Sequence, residues 1–358
     1  MKRVAIDCRL IDGGGIGRYL RALIDQYRKL APPFALYLLG HPEQLKQFSF
    51  TAIIPFKCPI YSLSEQLFFP SVKVDLLHCP HYNIPLFYRG KIVTTIHDVA
   101  HIAVPHFFAH KLARIYAKFM LKRAVRKSAK IITVSNFSLD ELHKFLDFSP
   151  EKAVVIYNGV DSSMFYRRSE SEINDVRARL GIKGKYALYV GNMKPHKNVQ
   201  GVIEAFRLLK GELDTLVLVG KSKGLRSRFK GLERVQEANI IFVETIPDEL
   251  LPALYSGAEL LLFPSFYEGF GLPPLEALAC GTPSVVSDLP FARETLCDAA
   301  IFVDPSCPEK IAEGALKLLH DENIRRKILR RKEEILSRFS WETTAKKTLR
   351  IYEEAIGY

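Results

Sequence analysis

Apolar residues along this chain fall into short runs rich in Val, Ile, Leu, Phe and Tyr, separated by longer stretches where they recur every three or four positions. The runs are bounded by Gly, Pro, Asp or Asn and read as buried strands, while the periodic stretches read as amphipathic helices. In the first half strands are predicted at 3–8 (RVAIDC), 34–40, 76–80, 91–98, 130–135 and 153–158. In the second half they are predicted at 186–192, 215–221, 239–244, 259–265, 283–288 and 299–304. Strand and helix alternate because parallel strands can be joined only by a crossover, so the pattern is that of successive βαβ units.

The alternation breaks at DSSMFYRRSESEINDVRARLGIKGK, which is polar, Ser-rich and without strand character, and a hinge is expected near 161 to 184. The expected fold class is α/β: two doubly wound, Rossmann-like parallel-sheet domains, residues 1–165 and 166–339, facing a cleft. The last segment, 340–358, is expected to return and pack on the first domain. A length of 358 residues suits two domains, each with its own core.

Composition narrows the class only a little. The chain is 48% hydrophobic and 25% charged, as in an ordinary globular protein, and its net charge of +12 favours an anionic partner. Six cysteines are scattered with no CxxC and no companion His spacing, which points to reduced thiols and away from a zinc site. The start, MKRVAIDCRLIDGGG, has no signal-peptide core, and no uncharged apolar run approaches the roughly 20 residues of a membrane span. A soluble, cytoplasmic protein is expected.

In open α/β sheets ligands gather outside the carboxyl ends of the strands, so the loops that follow strands carry the candidate chemistry. LIDGGGIGRYLRAL follows the first strand; Gly15 and Gly17 would let backbone approach an anion at a helix start, although the dinucleotide fingerprint fails at Asp12. IHDVAHIAVPHF follows the strand at 91–98 and offers His97 as a hydrogen-bonding or acid–base group, with Asp98 as its orienter. VGNMKPHKNVQGVIEAF follows the strand at 186–192 and sets Lys197 at a helix N-terminus, where a cation and the helix dipole suit a phosphate. FYEGFGLPPLEALACGTPSVV, at 266–286, places Glu268 and Glu276 either side of a Gly/Pro turn. With the amides of Phe270, Gly271 and Leu272 between them, the two acids describe acceptors for hydroxyls around an anion site, as a sugar nucleotide requires.

The stretch EGFGLPPLEALACGTPSVV resembles the E-x7-E motif of the retaining glycosyltransferases of family 4, which have the GT-B fold. GGGIGRY, TIHD, VSNFS, VIYNGVD and VGNMKPHKN occur in matching order, so the resemblance covers nearly the whole chain. It implies that Glu276 binds the nucleotide ribose, and that Glu268 with the Phe270, Gly271 and Leu272 amides holds the transferred sugar and the diphosphate. It further implies that Lys197 neutralises the departing diphosphate, that Gly15 and Gly17 approach it from the first domain, and that His97 contacts the sugar. Where many members carry an Arg after the glycine at 191 this chain has Asn192, which leaves Lys194 or Arg18 as help for Lys197. No cofactor and no metal are expected, the nucleotide-sugar being a substrate. GGGIGRY with IHD and KPHKN is similar to members that use GDP-mannose, and a UDP-sugar remains the alternative, since the base is read largely by backbone around Phe242 to Ile246. The implied acceptor is a lipid- or polysaccharide-linked glycan.

From Val99 to Leu139 there is no Asp or Glu, while Lys111, Arg114, Lys118, Lys122, Arg123, Arg126, Lys127 and Lys130 add eight cations. Arg114, Lys118, Lys122 and Arg126 recur every four residues, set against an apolar face expected at Leu112, Ile115, Tyr116 and Phe119. A helix over 107–130 is therefore expected to hold the protein peripherally on an anionic membrane, at the inner face of the plasma membrane. A nucleic-acid-binding protein is the rival from another class. It is disfavoured because the basic residues are not interleaved with stacking aromatics and no recognised motif is present.

Overall fold

The computed structural model describes residues 1–48, 51–108, 110–221 and 239–357. The chain divides into two compact units, Met1–Gly159 together with Phe339–Tyr358, and Val160–Arg338. The break expected at 165/166 thus lies at Gly159/Val160, and the C-terminal segment belongs to the first unit.

The first unit is built on a parallel sheet of β1 (Arg3–Asp7), β2 (Ala35–Gly40), β3 (Ala52–Pro55), β4 (Leu76–Cys79), β5 (Lys91–Ile96), β6 (Lys130–Thr133) and β7 (Ala153–Val155), in the order β3-β2-β1-β4-β5-β6-β7. Chain order reverses between β1 and β4, so that pair marks the switch point of the sheet. The apolar runs give every strand except β3. Only Ile53 and Ile54 are apolar and half-buried there, and Pro55 ends the strand, which is how a short edge strand escapes detection.

Helix Trp341–Ile356 closes the first unit against helix Gly14–Leu30. Trp341, Ala345 and Tyr352 join the core formed by Tyr19, Leu23 and Tyr27. The Tyr352 hydroxyl lies 2.6 Å from His78 Nδ1, and His78 Nε2 lies 2.8 Å from the Thr95 hydroxyl, so the buried imidazole is satisfied at both nitrogens. This His is a structural one.

Helix Lys111–Lys127 corrects the expected orientation. Its buried face is Ala117, Met120, Leu121, Ala124 and Val125, whereas Leu112, Ile115 and Phe119 are exposed. The apolar residues therefore share the outer face with Lys111, Lys118, Lys122 and Arg126 rather than opposing them. Two apolar stripes run along one helix, and only contact with the sheet shows which is inside. The expected helix over 107–130 also takes in residue 109, which lies outside the described residues.

The second unit is a parallel sheet of β8 (Tyr186–Val190), β9 (Thr215–Val219), β10 (Ile240–Val243), β11 (Leu260–Phe263), β12 (Ser284–Ser287) and β13 (Ile301–Val303), in the order β10-β9-β8-β11-β12-β13. Its switch point lies between β8 and β11. The stretch expected as a hinge contains helix Glu170–Leu180, capped by a box in which the Ser169 hydroxyl accepts the Glu172 N–H and the Glu172 carboxylate accepts the Ser169 N–H. This helix buries Ile173 and Val176 and packs on helix Leu251–Ser256, so the segment is part of the second unit rather than a linker. Among the described residues no helix is long and apolar enough to cross a membrane.

Candidate functional site

The second unit concentrates its chemistry at the switch point, where the loops after β8 and β11 are tied together. The Phe266 N–H donates to the His196 carbonyl at 2.8 Å. Asn198 Nδ2 donates to the carbonyls of Pro264 (3.0 Å) and Pro305 (2.6 Å), while its Oδ1 accepts the Gly201 N–H and caps helix Val199–Leu208. Asn198 holds a left-handed φ of 57°, which short polar side chains tolerate best. These bonds bring the two loops into register and fix Lys197 in a single turn of 3₁₀ helix, Pro195–Lys197.

Lys197 Nζ is ion-paired with Glu268 Oε1, and both side chains are largely buried. The Ser265 hydroxyl donates to the same carboxylate oxygen at 3.0 Å. The cation expected for a diphosphate and the carboxylate expected for a sugar are therefore partners in this state. An arriving anion can draw on Lys197 while Ser265 keeps Glu268 bonded. Beneath them, burial and the Glu268 charge hold the Tyr189 hydroxyl well above its usual pKa, so it stays protonated and donates to the Asn192 carbonyl at 3.0 Å. Asn192 itself is exposed on the rim.

Gly271, at φ 86°, turns the chain from Glu268 into helix Leu272–Ala279. Pro273 and Pro274 have no N–H, so the peptide donors of this turn come from Gly269 to Leu272 rather than from a full helical first turn. Glu276 lies one turn into the helix. Its carboxylate is 1% exposed and accepts the Tyr255 hydroxyl at 2.9 Å through Oε2. Tyr255 and Ser265 were missed in the sequence. Ser265 could have been found as the residue that ends a predicted strand three positions before Glu268, but a tyrosine in LPALYS looks like any core aromatic.

In the first unit the two glycines expected at a ligand separate. Gly15 is exposed at the start of helix Gly14–Leu30, with open space where a side chain would project. Gly17 is buried, and a Cβ there would meet the Ile11 carbonyl oxygen at 2.4 Å. Its missing side chain is needed for the tight entry into the helix and presents nothing to a ligand.

His97 follows β5 and is half-buried, with its ring Nε2 shielded from solvent. Its ring hydrogen-bonds the Pro80 carbonyl, and burial, opposed by that bond and by Asp98, pushes its pKa down to about 4. Nε2 has no hydrogen-bond partner among the described residues. The orienter is therefore Pro80 rather than Asp98, whose Oδ1 accepts the Ala100 N–H at 2.9 Å. A neutral imidazole that donates through Nδ1 presents Nε2 as an acceptor, which suits a hydroxyl on a substrate. Among the described residues no three His, Cys, Asp or Glu side chains are placed to hold a metal ion.

Two parallel, doubly wound sheets with glycine-rich and paired-acid loops after their strands define a GT-B glycosyltransferase. The chain belongs to Glycosyltransferase Family 4: that family description matches residues 13–163, and "Glycosyl transferases group 1" matches residues 172–334. It is 33% identical over 287 residues, 78% of this chain and 74% of the relative, to O-antigen chain mannosyltransferase B of Escherichia coli. It is 32% identical over 240 residues, 66% of this chain and 62% of the relative, to the O-antigen chain mannosyltransferase RfbU of Salmonella typhimurium. Among solved structures, Anabaena HepE in complex with UDP and glucose superposes with a TM-score of 0.80 at 20% identity, covering 99% of this chain and all of that one.

Proposed function

We propose that this glycosyltransferase moves mannose from GDP-mannose, with retention at the anomeric carbon, to a glycan acceptor of the O-antigen or cell-envelope polysaccharide type. The observation that carries this reading is the Lys197–Glu268 pair at the β8/β11 switch point, beside the Gly269 to Leu272 turn and with Glu276 braced behind it. Breaking the bond from sugar to diphosphate develops negative charge on the phosphate and positive charge on the sugar. Lys197 and the peptide N–H groups of the turn meet the first, while Glu268 meets the sugar and Glu276 the ribose. Each such preorganised donor is worth about 3 kcal/mol, or about a hundredfold in rate. This charge compensation needs no divalent ion. His97 accepts a substrate hydroxyl, and Gly15 lets a ligand approach closely.

Similarity to two mannosyltransferases favours GDP-mannose, while HepE, solved with UDP, keeps a UDP-sugar as the second reading. Calorimetric titration with GDP, UDP, ADP and their sugar conjugates, without and with Mg²⁺, decides between them. GDP and GDP-mannose are expected to bind without metal, and Glu276→Ala to weaken them at least tenfold. Binding of UDP alone would replace the donor, and binding of none of them would overturn the function.

The acceptor is read as lipid-linked, with the enzyme held peripherally at the inner face of the plasma membrane. What supports this is the outer face of helix Lys111–Lys127, where Leu112, Ile115 and Phe119 stand exposed among Lys111, Lys118, Lys122 and Arg126. An apolar stripe bordered by cations suits a helix lying in an anionic interface.

A further inference from the structure

The first unit has a switch point of its own, between β1 and β4, and the donor-side residues leave it unused. A ligand is expected outside the carboxyl ends of those two strands. A small hollow of about 10 Å³ lies there, lined by Asp7 at the end of β1 and by Cys79, Pro80 and His81 at the end of β4. His97 joins the same place through its bond to the Pro80 carbonyl.

Beside this hollow stands Tyr61, whose φ of 68° lies in the left-handed region that a bulky residue occupies only under constraint. The constraint is visible. The Tyr61 N–H donates to Glu65 Oε2 at 2.7 Å, and its hydroxyl lies 2.9 Å from His81 Nε2. Glu65 is 1% exposed and is itself locked, with Arg9 Nη2 at 2.8 Å and Asn83 Nδ2 at 2.7 Å from each carboxylate oxygen, while Arg9 also clasps Asp7 at 2.6 Å. The Tyr61 ring makes edge contacts with His81 and Tyr116, at 5.5 and 6.2 Å between centroids.

A buried charge network thus fixes the backbone, and His81 fixes the hydroxyl, yet Tyr61 remains 52% exposed. A turn needing only a left-handed residue is better served by Gly or Asn. An aromatic ring held there at a conformational cost, half exposed beside the His81 imidazole, is built to receive something flat and amphipathic. The apolar face of a pyranose ring fits it, with hydroxyls turned to the neighbouring polar groups.

We infer that Tyr61 is the stacking platform of a sugar subsite on the first unit, one that takes a terminal pyranose of the acceptor glycan, with His81 holding the ring in place through its hydroxyl. The inference rests on the glycosyltransferase reading above, and its test is separable from it. Saturation-transfer NMR on the full chain uses methyl α-mannopyranoside, methyl α-glucopyranoside and N-acetylglucosamine as probes, with wild type, Tyr61→Phe and Tyr61→Gly. Melting temperature and nucleotide affinity are measured on the same samples.

At least one pyranoside is expected to show saturated ring protons with wild type and Tyr61→Phe, and a signal at least tenfold weaker with Tyr61→Gly. The melting temperature of Tyr61→Gly should be unchanged or raised, since glycine relieves the backbone, and its nucleotide affinity should be unchanged. Saturation that survives Tyr61→Gly, or its absence from wild type with all three sugars, overturns the subsite. So does a loss of signal that comes only with a lowered melting temperature. A Tyr61-dependent sugar signal in a protein that binds no nucleotide upholds the subsite and removes the donor reading instead.

Discussion

His97 shows what burial does to a single side chain. Unfolded, it titrates near its ordinary value; folded, its pKa falls to about 4, and that of His78 to about 3, chiefly through loss of solvent around the charged form. Between those values and about 6.5 the unfolded chain binds more protons than the folded one. Stability from this source is therefore fully present above pH 6.5 and is lost as pH falls toward 4, by about 1.4 kcal/mol per pH unit for each histidine. Urea unfolding between pH 7 and 4 should show this slope, and His97→Asn should reduce it by about half while leaving the slope due to His78. An unchanged slope would mean that His97 is not held neutral. The position of His97 after a strand is legible in the sequence, and so are Glu268, Glu276 and Lys197. That Glu268 takes Lys197 as its partner, that Tyr255 braces Glu276 and that Pro80 orients His97 are not legible, because each partner arrives from a different strand or helix.

At the level of elements, the capping box at Ser169 decides the fate of a segment that composition alone assigns to a hinge. Ser-x-x-Glu followed by Ile173 and Val176 is a helix start written in sequence, and the flanking charges hide it. Ser169→Ala should destabilise the protein by about 1 kcal/mol, with Ser169→Asp restoring most of it, read as the urea midpoint of the folded chain. No change on Ser169→Ala would mean that packing of Ile173 and Val176 alone sets the helix. Strand β3 and helix Lys111–Lys127 teach the same lesson from the other side. The first is too short to announce itself, and the second announces two apolar faces, of which the sheet takes the one with the small residues Ala117 and Ala124.

Over the whole molecule, the excess of positive charge acts as a field whose effect depends on where the cations stand together. Lys118 and Lys122 share the outer face of helix Lys111–Lys127 with Leu112 and Phe119. Sedimentation with vesicles containing anionic lipid should recover the protein at low salt, and neutral vesicles should recover much less. Lys118→Glu combined with Lys122→Glu removes roughly 2 kcal/mol or more, on the order of thirtyfold in partition. Leu112→Ser combined with Phe119→Ser should weaken the part of the binding that survives high salt. Equal recovery on neutral and anionic vesicles would refute the electrostatic attachment.

What the sequence by itself determined is everything carried by local period and punctuation. The alternation of strand and helix, the two parallel sheets, the glycine turns and the paired glutamates all follow from backbone geometry and burial acting over a few residues. The tertiary structure decided the pairings. Which strands stand at each switch point, which face of a basic helix is exposed, that Gly17 serves packing while Gly15 stands open, and that a strained Tyr61 is held by Glu65 and His81 all depend on residues far apart in the chain. A hydrogen bond or an ion pair acts only over a few ångströms, so these assignments exist only once the sheets bring their loops together.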